Sequence, residues 1–319
     1  MATRSILAGC GAYLPDRVID NNELAKLVDT SDDWIKQRTG IEKRHVVADG
    51  ELTSDLAVKA ADQALSRANI PANDIDLIIV ATTTPDRTFP ATATKVQADL
   101  GITSGAAFDI QAVCSGFIYS LHVADALIKS QKAKYILVVG AETLSKIVDW
   151  KDRRTCVLFG DGAGAVILSS SEEKSGILSS NIFSDGSWQE SLYADGGPSL
   201  NQKVGKIRMK GQDIFKLAVN KLAETTLKSI HECKKKVSDV DWFIPHQANV
   251  RIIDGPAKKI GISMDRVVKT INKHANTSAA SIPLALSNHV KNGSIKRKDL
   301  LALCAIGGGL SWGSCVIKF

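Results

Sequence analysis

Aromatic residues are scarce in this chain, and several patterns that mark large classes of protein are missing. Phe, Trp and Tyr make up 5% of its 319 residues, which argues against the stacking surfaces that bind single-stranded nucleic acid. The net charge of +6 favours acidic partners but is too small for a nucleic-acid-binding signature. No apolar run approaches the roughly 20 residues of a membrane-spanning helix. We therefore expect neither nucleic acid nor a membrane as a partner.

The six cysteines lack the spacings of metal sites and disulfide frameworks. None forms a C-x-x-C pair or a Cys/His zinc pattern, so we expect no metal, and their place in apolar runs suits a reducing cytoplasm. The segment ILAGC (6–10) resembles a lipoprotein cleavage box, but the apolar stretch after Arg4 is shorter than the roughly 7–15 residues of a signal sequence. We predict a soluble, cytoplasmic protein whose first strand lies here, before a turn at 11–15.

The chain contains an internal repeat with a long period. In each half, an amphipathic helix precedes an apolar strand, a helix ending at Gly-Ile, a second strand, a long helix and a strand ending in glycine. The helices are predicted at 54–68, 95–102 and 115–132 in the first half, and at 213–230, 256–262 and 278–292 in the second. The matching strands are predicted within 75–82, 106–117 and 134–142, and within 240–250, 265–280 and 301–309.

The repeat predicts an α/β protein made of two similar halves, at 1–172 and 173–319. Apolar, β-rich runs that alternate with helices indicate buried and mostly parallel strands. Such halves pack as layers around a pseudo-twofold axis. The segment 156–170 turns tightly into a strand that closes the first half, and 176–186 opens the second. The polar, Gly-rich region 185–212 is predicted to be a loop.

Aligning the halves places three polar residues at equivalent strand ends. Cys114 lies opposite Asn276, and His246 lies opposite the loop that follows 75–82. Ligands of open α/β sheets bind beyond the carboxyl ends of the strands. A pseudo-twofold axis would therefore bring Cys114 and Asn276 together.

The segment FDIQAVCSGFIYSL (108–121) places Cys114 at the start of a predicted helix. The positive end of a helix lowers a thiol pKa and favours the nucleophilic thiolate, and a sharp strand-to-helix turn exposes the side chain. A buried structural cysteine is the alternative, and for a lone cysteine in an apolar run it is the more common case. The position of Asn276 in the other half favours the nucleophile. The roles of Asp109 and Gln111 are not evident.

Three further segments offer hydrogen-bond donors. His246 in PHQAN can exchange a hydrogen bond with a substrate oxygen, or be an ordinary loop histidine; His274 is its nearest rival. Asn276 in HANTSAA can donate to an oxyanion or cap a helix. In GGGLSWG (307–313), glycines allow a backbone N–H to approach a ligand, and with the N–H of Cys114 they could form an oxyanion hole.

Together, VCSGF at Cys114, PHQAN at His246, HANTSAA at Asn276 and GGGLSWG resemble the β-ketoacyl-[acyl carrier protein] synthase III family. These thiolase-fold enzymes start type II fatty-acid synthesis. The segments TSDDWIKQRTGI (30–41), TFPATA (88–93) and FGDGAGA (159–165) are similar too, and the resemblance spans essentially the whole chain. It implies duplicated α/β halves in an αβαβα arrangement with pseudo-twofold symmetry.

The resemblance also implies a two-step reaction. Cys114 takes the acyl group of acetyl-CoA, a substrate rather than a cofactor, and malonyl-[acyl carrier protein] then loses CO2 and condenses with it to give acetoacetyl-[acyl carrier protein]. His246 and Asn276 stabilise the enolate-like oxygen, and the N–H groups of Cys114 and Gly308 hold the tetrahedral oxyanion. No metal or further cofactor is implied.

The remaining site residues are likewise implied only by the resemblance. Trp34 and Arg153 would hold the CoA adenine, with Arg38 near its phosphates and Gly211 and Gln212 along the pantetheine. Acyl carrier protein would dock on the basic residues Lys216, Arg251, Lys258 and Lys259; a solvated helix face is the alternative. In a homodimer, Phe89 would reach the partner's acyl pocket, with Ile306 at the pocket floor. Gln212 replaces an expected Asn, and Ile306 an expected aromatic residue.

Several other activities share parts of this pattern. A degradative thiolase needs a second active cysteine, and Cys304 is one residue out of register for that role. Elongating ketosynthases use two histidines, and plant-type polyketide synthases are longer. A related ketosynthase or acyltransferase of a specialised pathway, a Cys-His-Asn thioester hydrolase and a non-catalytic carrier-protein-binding homologue are further alternatives. Primer length and feedback regulation are not evident in the sequence.

Overall fold

The computed structural model describes residues 3–319, except for the side chains of residues 212 and 213. In chain order, the strands are β1 (Arg4–Tyr13), β2 (Arg17–Asp20), β3 (Lys43–Val46), β4 (Leu77–Ala81), β5 (Ala106–Ile110), β6 (Tyr135–Glu142), β7 (Gly162–Ser171), β8 (Gly176–Ser184), β9 (Leu192–Ala194), β10 (Ile207–Met209), β11 (Trp242–Pro245), β12 (Leu300–Gly307) and β13 (Ser311–Lys318). The helices are α1 (Asn21–Ala25), α2 (Asp32–Thr39), α3 (Thr53–Ala68), α4 (Thr92–Asp99), α5 (Gly116–Lys129), α6 (Arg153–Cys156), α7 (Gly211–Glu232), α8 (Val250–Ile260), α9 (Ile271–His274) and α10 (Ser281–Lys291).

The two larger sheets have equivalent strand orders. The first is β1-β7-β6-β4-β5 and the second is β8-β13-β12-β11. In the first, β4 is parallel to β5 and β6, and the remaining pairs are antiparallel. In the second, β11 is parallel to β12, and the remaining pairs are antiparallel. The place of β5 is reduced to a parallel bridge between Phe243 and Val267. The predicted repeat is therefore visible in the strand topology.

The sheets and helices form five layers. Helices α5 and α10 lie between the two sheets, α3 and α4 cover the outer face of the first, and α7 and α8 cover the outer face of the second. All residues of β4 and β12 are buried, as expected for strands covered on both faces. This αβαβα arrangement is the one expected from the sequence.

Helices α3, α4, α5, α7, α8 and α10 overlap the six predicted helices, whereas α1, α2, α6 and α9 were not predicted. Several strand predictions were wrong. Residues 265–280 contain a bridge at Val267 and the short helix α9 instead of a strand. The strands were expected to be mostly parallel, but antiparallel pairs outnumber parallel ones by four to three in the two larger sheets.

Strand β1 continues to Tyr13 instead of turning at 11–15, because these residues pair with β7. The predicted loop at 185–212 contains the hairpin of β9 and β10. An ion pair of 2.6 Å between Arg208 and Asp195 stabilises that hairpin, and pairing between such short, polar segments leaves little periodicity in the sequence.

Among residues 3–319, no helix has both the length and the apolar character needed to cross a bilayer. Among the side chains that the structure describes, at 3–211 and 214–319, no cluster of His, Cys, Asp and Glu is arranged to bind a metal ion.

Candidate functional site

Cys114 lies on a tight turn between a strand and a helix. Strand β5 ends at Ile110, a single 3-10 turn spans Val113–Ser115, and α5 begins at Gly116. Val113 has φ +48°, a conformation that β-branched residues rarely adopt and that packing around the turn must enforce. The sharp turn predicted from the sequence is therefore present.

Two expectations for Cys114 were wrong: the turn does not expose its side chain, and its pKa is shifted in the opposite direction. The side chain is 4% exposed, and burial raises the pKa of the thiol to about 12, with the nearby Glu142 carboxyl adding to the increase. The Ser278 hydroxyl beside the thiol acts in the opposite sense. Loss of solvation disfavours the thiolate and here outweighs the helix start, so the resting nucleophile is the neutral thiol.

Asn276 occupies the equivalent position of the second half. The residue before it, Ala275, has φ +59°, a positive value like that of Val113. The Asn276 side-chain oxygen accepts a hydrogen bond of 2.8 Å from the Ser278 N–H. Because the oxygen is held in this way, the amide NH2 is the group left to donate. The helix-capping alternative and a donor role are thus compatible.

The Asn276 backbone is held by the first half of the chain. Its N–H donates to the Leu158 carbonyl at 2.9 Å, and its carbonyl accepts from the Gly160 N–H at 3.0 Å. These two bonds form a parallel bridge with Phe159. The FGDGAGA segment therefore positions Asn276 as well as leading into β7.

His246 follows β11 and is buried and neutral. Its backbone N–H donates to the Cys304 carbonyl at 2.8 Å. Its Nδ1 lies 2.6 Å from the Ser281 hydroxyl. Burial lowers the pKa of the imidazole to about 3, and His274 adds to this effect. His246 can therefore exchange hydrogen bonds without carrying a charge at neutral pH.

One short segment connects these three residues. Asn276 opens it, Ser278 lies beside the Cys114 thiol, and Ser281 contacts the His246 ring. Residues 276–281 also bring the Ser278–Ala280 turn against the turn at Val113–Ser115. The structure thus brings together the Cys, His and Asn expected from the sequence.

His274, the other candidate histidine, uses both of its ring nitrogens in hydrogen bonds within its own segment. Its Nδ1 lies 2.8 Å from the Ala275 carbonyl, and its Nε2 lies 2.7 Å from the Thr270 hydroxyl. Burial lowers its pKa to about 4. With both ring nitrogens used, His274 has no donor left for a ligand.

The glycines at the end of β12 lie against the Cys114 turn. A Cβ on Gly307 would lie 2.7 Å from the Cys114 nitrogen, and one on Gly308 would lie 2.6 Å from the Leu192 carbonyl oxygen and 3.5 Å from a Val113 methyl group. Only residues without a side chain permit this approach. Cys304 instead packs beside Thr226 of α7, which agrees with a core role.

A cavity of about 980 Å³ brings predicted CoA and carrier-protein residues together. Its lining includes Arg38, Gly211, Lys216 and Arg251. Sequence reasoning missed the other five lining residues, which are Trp188, Phe215, Leu217, Asn220 and Asn249. Nothing in the local pattern of these five distinguishes them from ordinary surface positions.

The other predicted contacts lie near this cavity or on the surface. The guanidinium groups of Arg153 and Arg38 lie 5.1 Å and 5.8 Å from the Trp34 ring. Lys258 and Lys259 are exposed in the last turn of α8, and Lys259 donates to Asn220 at the cavity wall.

Phe89 is 81% exposed, and Ile306 is buried in the core beside Trp312 of β13. The Gln212 side chain lies outside the described residues.

Glu142 is a buried acid that sequence reasoning missed. It ends β6 and accepts hydrogen bonds from the hydroxyls of Thr82, Thr83 and Thr84 at 2.7–3.3 Å. Burial raises its pKa. An acidic residue at the end of a continuous apolar run was the available signal.

Gln247, another buried residue in PHQAN, joins β11 to the segment that leads to Asn276. Its amide donates to the Pro245 and Val268 carbonyls and accepts from the Thr270 N–H.

Asp109 and Gln111, whose roles are not evident from the sequence, differ in what the structure shows. Asp109 accepts from the first N–H groups of α4, whereas nothing in the structure explains Gln111.

Comparisons with known proteins give a consistent result. Two family models match the chain, 3-oxoacyl-[acyl-carrier-protein (ACP)] synthase III over residues 108–186 and its C-terminal counterpart over residues 230–319. The beta-ketoacyl-[acyl-carrier-protein] synthase III of Rhodospirillum centenum is 54% identical over 100% of both chains, and that of Paramagnetospirillum magneticum is 55% identical with the same coverage. The crystal structure of 3-oxoacyl-[acyl-carrier-protein] synthase III from Aquifex aeolicus has a TM-score of 0.95 at 48% identity, covering 99% of this chain and 100% of that one.

Proposed function

The chain belongs to the 3-oxoacyl-[acyl-carrier-protein] synthase III family, and from this premise we propose how its residues carry out the reaction. It has the thiolase fold and is an acyltransferase-type condensing enzyme of fatty-acid synthesis. The juxtaposition of Cys114, His246 and Asn276 through residues 276–281 is the observation that carries the proposal.

In the first step, Cys114 takes an acetyl group from acetyl-CoA. Its sulfur bonds to the thioester carbonyl carbon, the bond from that carbon to the CoA sulfur breaks, and the thiol proton leaves with CoA as free thiol. The N–H groups of Cys114 and Gly308 donate to the oxyanion of the tetrahedral intermediate. The close packing of the β12 glycines on the Cys114 turn supports this role.

In the second step, malonyl-[acyl carrier protein] loses CO2. The His246 ring and the Asn276 amide donate to the thioester oxygen, where negative charge develops. The resulting carbanion bonds to the acetyl carbonyl carbon, and the bond to the Cys114 sulfur breaks with its electron pair on the sulfur. The thiolate takes up a proton from water to restore the thiol, and acetoacetyl-[acyl carrier protein] is released. Decarboxylation supplies the electron pair, so neutral donors are sufficient, in agreement with the low pKa of His246.

The cavity beside α7 is the proposed route of both substrates. Trp34, Arg153 and Arg38 would bind the nucleotide part of CoA, with Gly211 and Gln212 along the pantetheine. Lys216, Arg251, Lys258 and Lys259 would attract the acidic carrier protein. Lys216 and Arg251 line the same cavity as Arg38, which supports a shared entrance.

The proposed assembly is a homodimer, with Phe89 crossing to the partner's acyl pocket and Ile306 at the pocket floor. The ring is 81% exposed, so it is available to pack against a second copy. We also propose that the two halves of the chain are residues 1–172 and 173–319. The end of β7 at Ser171 and the start of β8 at Gly176 support this boundary.

Mass spectrometry tests the first step. Incubation with acetyl-CoA is expected to add one acetyl group to the Cys114 peptide and none in Cys114→Ala. Cys304→Ala is the matched control, because it removes a buried cysteine that packs against α7, and acetylation is expected to be retained. Acetylation of another residue, or none, would contradict the proposal.

Adding malonyl-[acyl carrier protein] to the acetylated protein tests the second step. The expected product is acetoacetyl-[acyl carrier protein], and release of free acetate would instead indicate a hydrolase. Repeating the assay with acyl-CoA substrates of increasing length separates a fatty-acid initiator from an enzyme of a specialised pathway.

A further inference from the structure

Ser281 makes the hydrogen bond that fixes the His246 ring. It is the first residue of α10 and is fully buried. Its Oγ lies 2.6 Å from His246 Nδ1 and accepts the Gln247 backbone N–H at 3.2 Å. A contact of this length between a hydroxyl and an imidazole nitrogen is a strong hydrogen bond.

The position of the proton follows from the available partners. A serine hydroxyl has one proton and two acceptor positions, and the Gln247 N–H uses one of the latter. Among the groups that the structure describes, His246 Nδ1 is the acceptor within reach of the hydroxyl proton. If Nδ1 carried a proton, Oγ would accept two hydrogen bonds and its own buried proton would be unpaired, which is unfavourable.

We propose that Ser281 is a positioning residue that donates to Nδ1 and holds neutral His246 as the Nε2–H tautomer. The catalytic consequence of this inference rests on the proposed function. In that reaction, the Nε2–H would donate to the thioester oxygen of the malonyl group. Within the described chain, Nε2 forms no hydrogen bond that would occupy it. Asn276 is oriented similarly, since the Ser278 N–H occupies its oxygen.

Burial supports a neutral ring. The pKa of His246 is lowered to about 3 by its surroundings, so the imidazole has one proton at neutral pH and the two tautomers are its available states. A neutral ring with its proton on Nδ1 would present a lone pair to the substrate oxygen and repel it. The choice of tautomer therefore decides whether His246 can stabilise the enolate.

Nitrogen NMR of protein labelled with ¹⁵N in histidine tests the tautomer directly, without substrate. The His246 signals are assigned by their loss in His246→Gln. We expect a protonated Nε2 and an unprotonated, hydrogen-bonded Nδ1 in the wild type. Ser281→Thr, which keeps the hydroxyl, is expected to retain this pattern, and Ser281→Ala to lose the hydrogen-bonded Nδ1 signal. A protonated Nδ1 in the wild type overturns the proposal even if Ser281→Ala does not fold.

Kinetics give an independent test. In Ser281→Ala, we expect condensation with malonyl-[acyl carrier protein] to slow by about tenfold, the effect of one typical hydrogen bond, while acetylation of Cys114 keeps its wild-type rate. Ser287→Ala is the matched control, because Ser287 is a buried serine of the same helix that bonds to Arg67 instead, and both rates are expected to be unchanged. Equal slowing of both steps in Ser281→Ala contradicts the positioning role.

The two proposals fail in different ways. If the wild-type protein is not acetylated, the proposed function is wrong, and the NMR spectrum still decides the tautomer. If the protein condenses normally but Nδ1 carries the proton, only the role of Ser281 is wrong.

Discussion

Gly307→Ala places a methyl group against the turn that holds Cys114. The new Cβ would lie 2.7 Å from the Cys114 nitrogen, 3.0 Å from the Ala112 oxygen and 3.1 Å from the Ser115 nitrogen. Carbon–nitrogen contacts ordinarily begin at about 3.4 Å, so the Cys114 nitrogen must move by about 0.7 Å, the difference between 3.4 and 2.7 Å. All three neighbours are backbone atoms, so no side chain can rotate away to relieve the contact.

This movement affects a proposed oxyanion donor. Catalytic groups must be held within about 0.5 Å of their productive positions. Loss of one oxyanion donor slows an acyl transfer by about 10²–10³-fold. We therefore expect Gly307→Ala to slow acetylation of Cys114 by about 100-fold. The same overlap is expected to lower the free energy of unfolding by about 1–3 kcal/mol.

Stopped-flow measurement of CoA release, together with thermal unfolding, separates the two effects. Gly186→Ala is the matched control, because a Cβ there has no neighbour within 4 Å, and both quantities are expected to stay near their wild-type values. A Gly307→Ala protein that is acetylated at the wild-type rate would refute the reasoning. A rate loss that vanishes at temperatures where the variant is fully folded would also refute it, since the effect would then be one of stability.

Three other substitutions give further tests. Glu142→Gln removes a negative charge that raises the Cys114 pKa, so alkylation of Cys114 by iodoacetamide should shift to lower pH; a shift to higher pH would contradict this. Burial lowers the pKa of His274 to about 4 while the unfolded value is about 6.5, so the unfolded chain binds a proton that the folded chain does not, and stability falls as the pH decreases through this interval. His274→Gln should reduce that pH slope in urea unfolding by up to about 1.4 kcal/mol per pH unit, and an unchanged slope would mean that His274 is protonated in the folded state. Trp34→Ala should raise KM for acetyl-CoA with little change in kcat, whereas a change confined to kcat would place Trp34 outside the CoA site.

The repeat carried most of the information that the sequence held about the fold. Apolar runs such as that of β4 are continuous, and their alternation with helices was enough to predict buried strands and equivalent halves. It did not predict that most strand pairs in the two larger sheets are antiparallel. The alignment also matched Cys114 with Asn276, and the residues before them, Val113 and Ala275, both have a positive φ. Local pattern sufficed here because the buried strands are continuous apolar runs and the helices between them are amphipathic.

Other features depend on packing between distant segments and were missed. The thiol pKa of Cys114 follows from burial and from Glu142, which lies at the end of β6. The hydrogen bond of Ser281 to His246 joins residues 35 positions apart, and Gln247 acts through the backbone of the 268–270 segment. Serine and glutamine are common at surface positions, so their residue type alone gives no indication of such contacts.

The bridge between Phe159 and Asn276 bears on how the two halves depend on each other. The backbone N–H and carbonyl of Asn276 are hydrogen-bonded to Leu158 and Gly160. The backbone of the first half therefore holds the proposed side-chain donor of the second half. A chain severed near residue 172 would leave the nucleophile on one fragment and both polar donors on the other. Such fragments should regain activity only when they reassociate. The sequences of the two repeats can differ elsewhere, but the backbone geometry at the bridge between Phe159 and Asn276 must be kept in both.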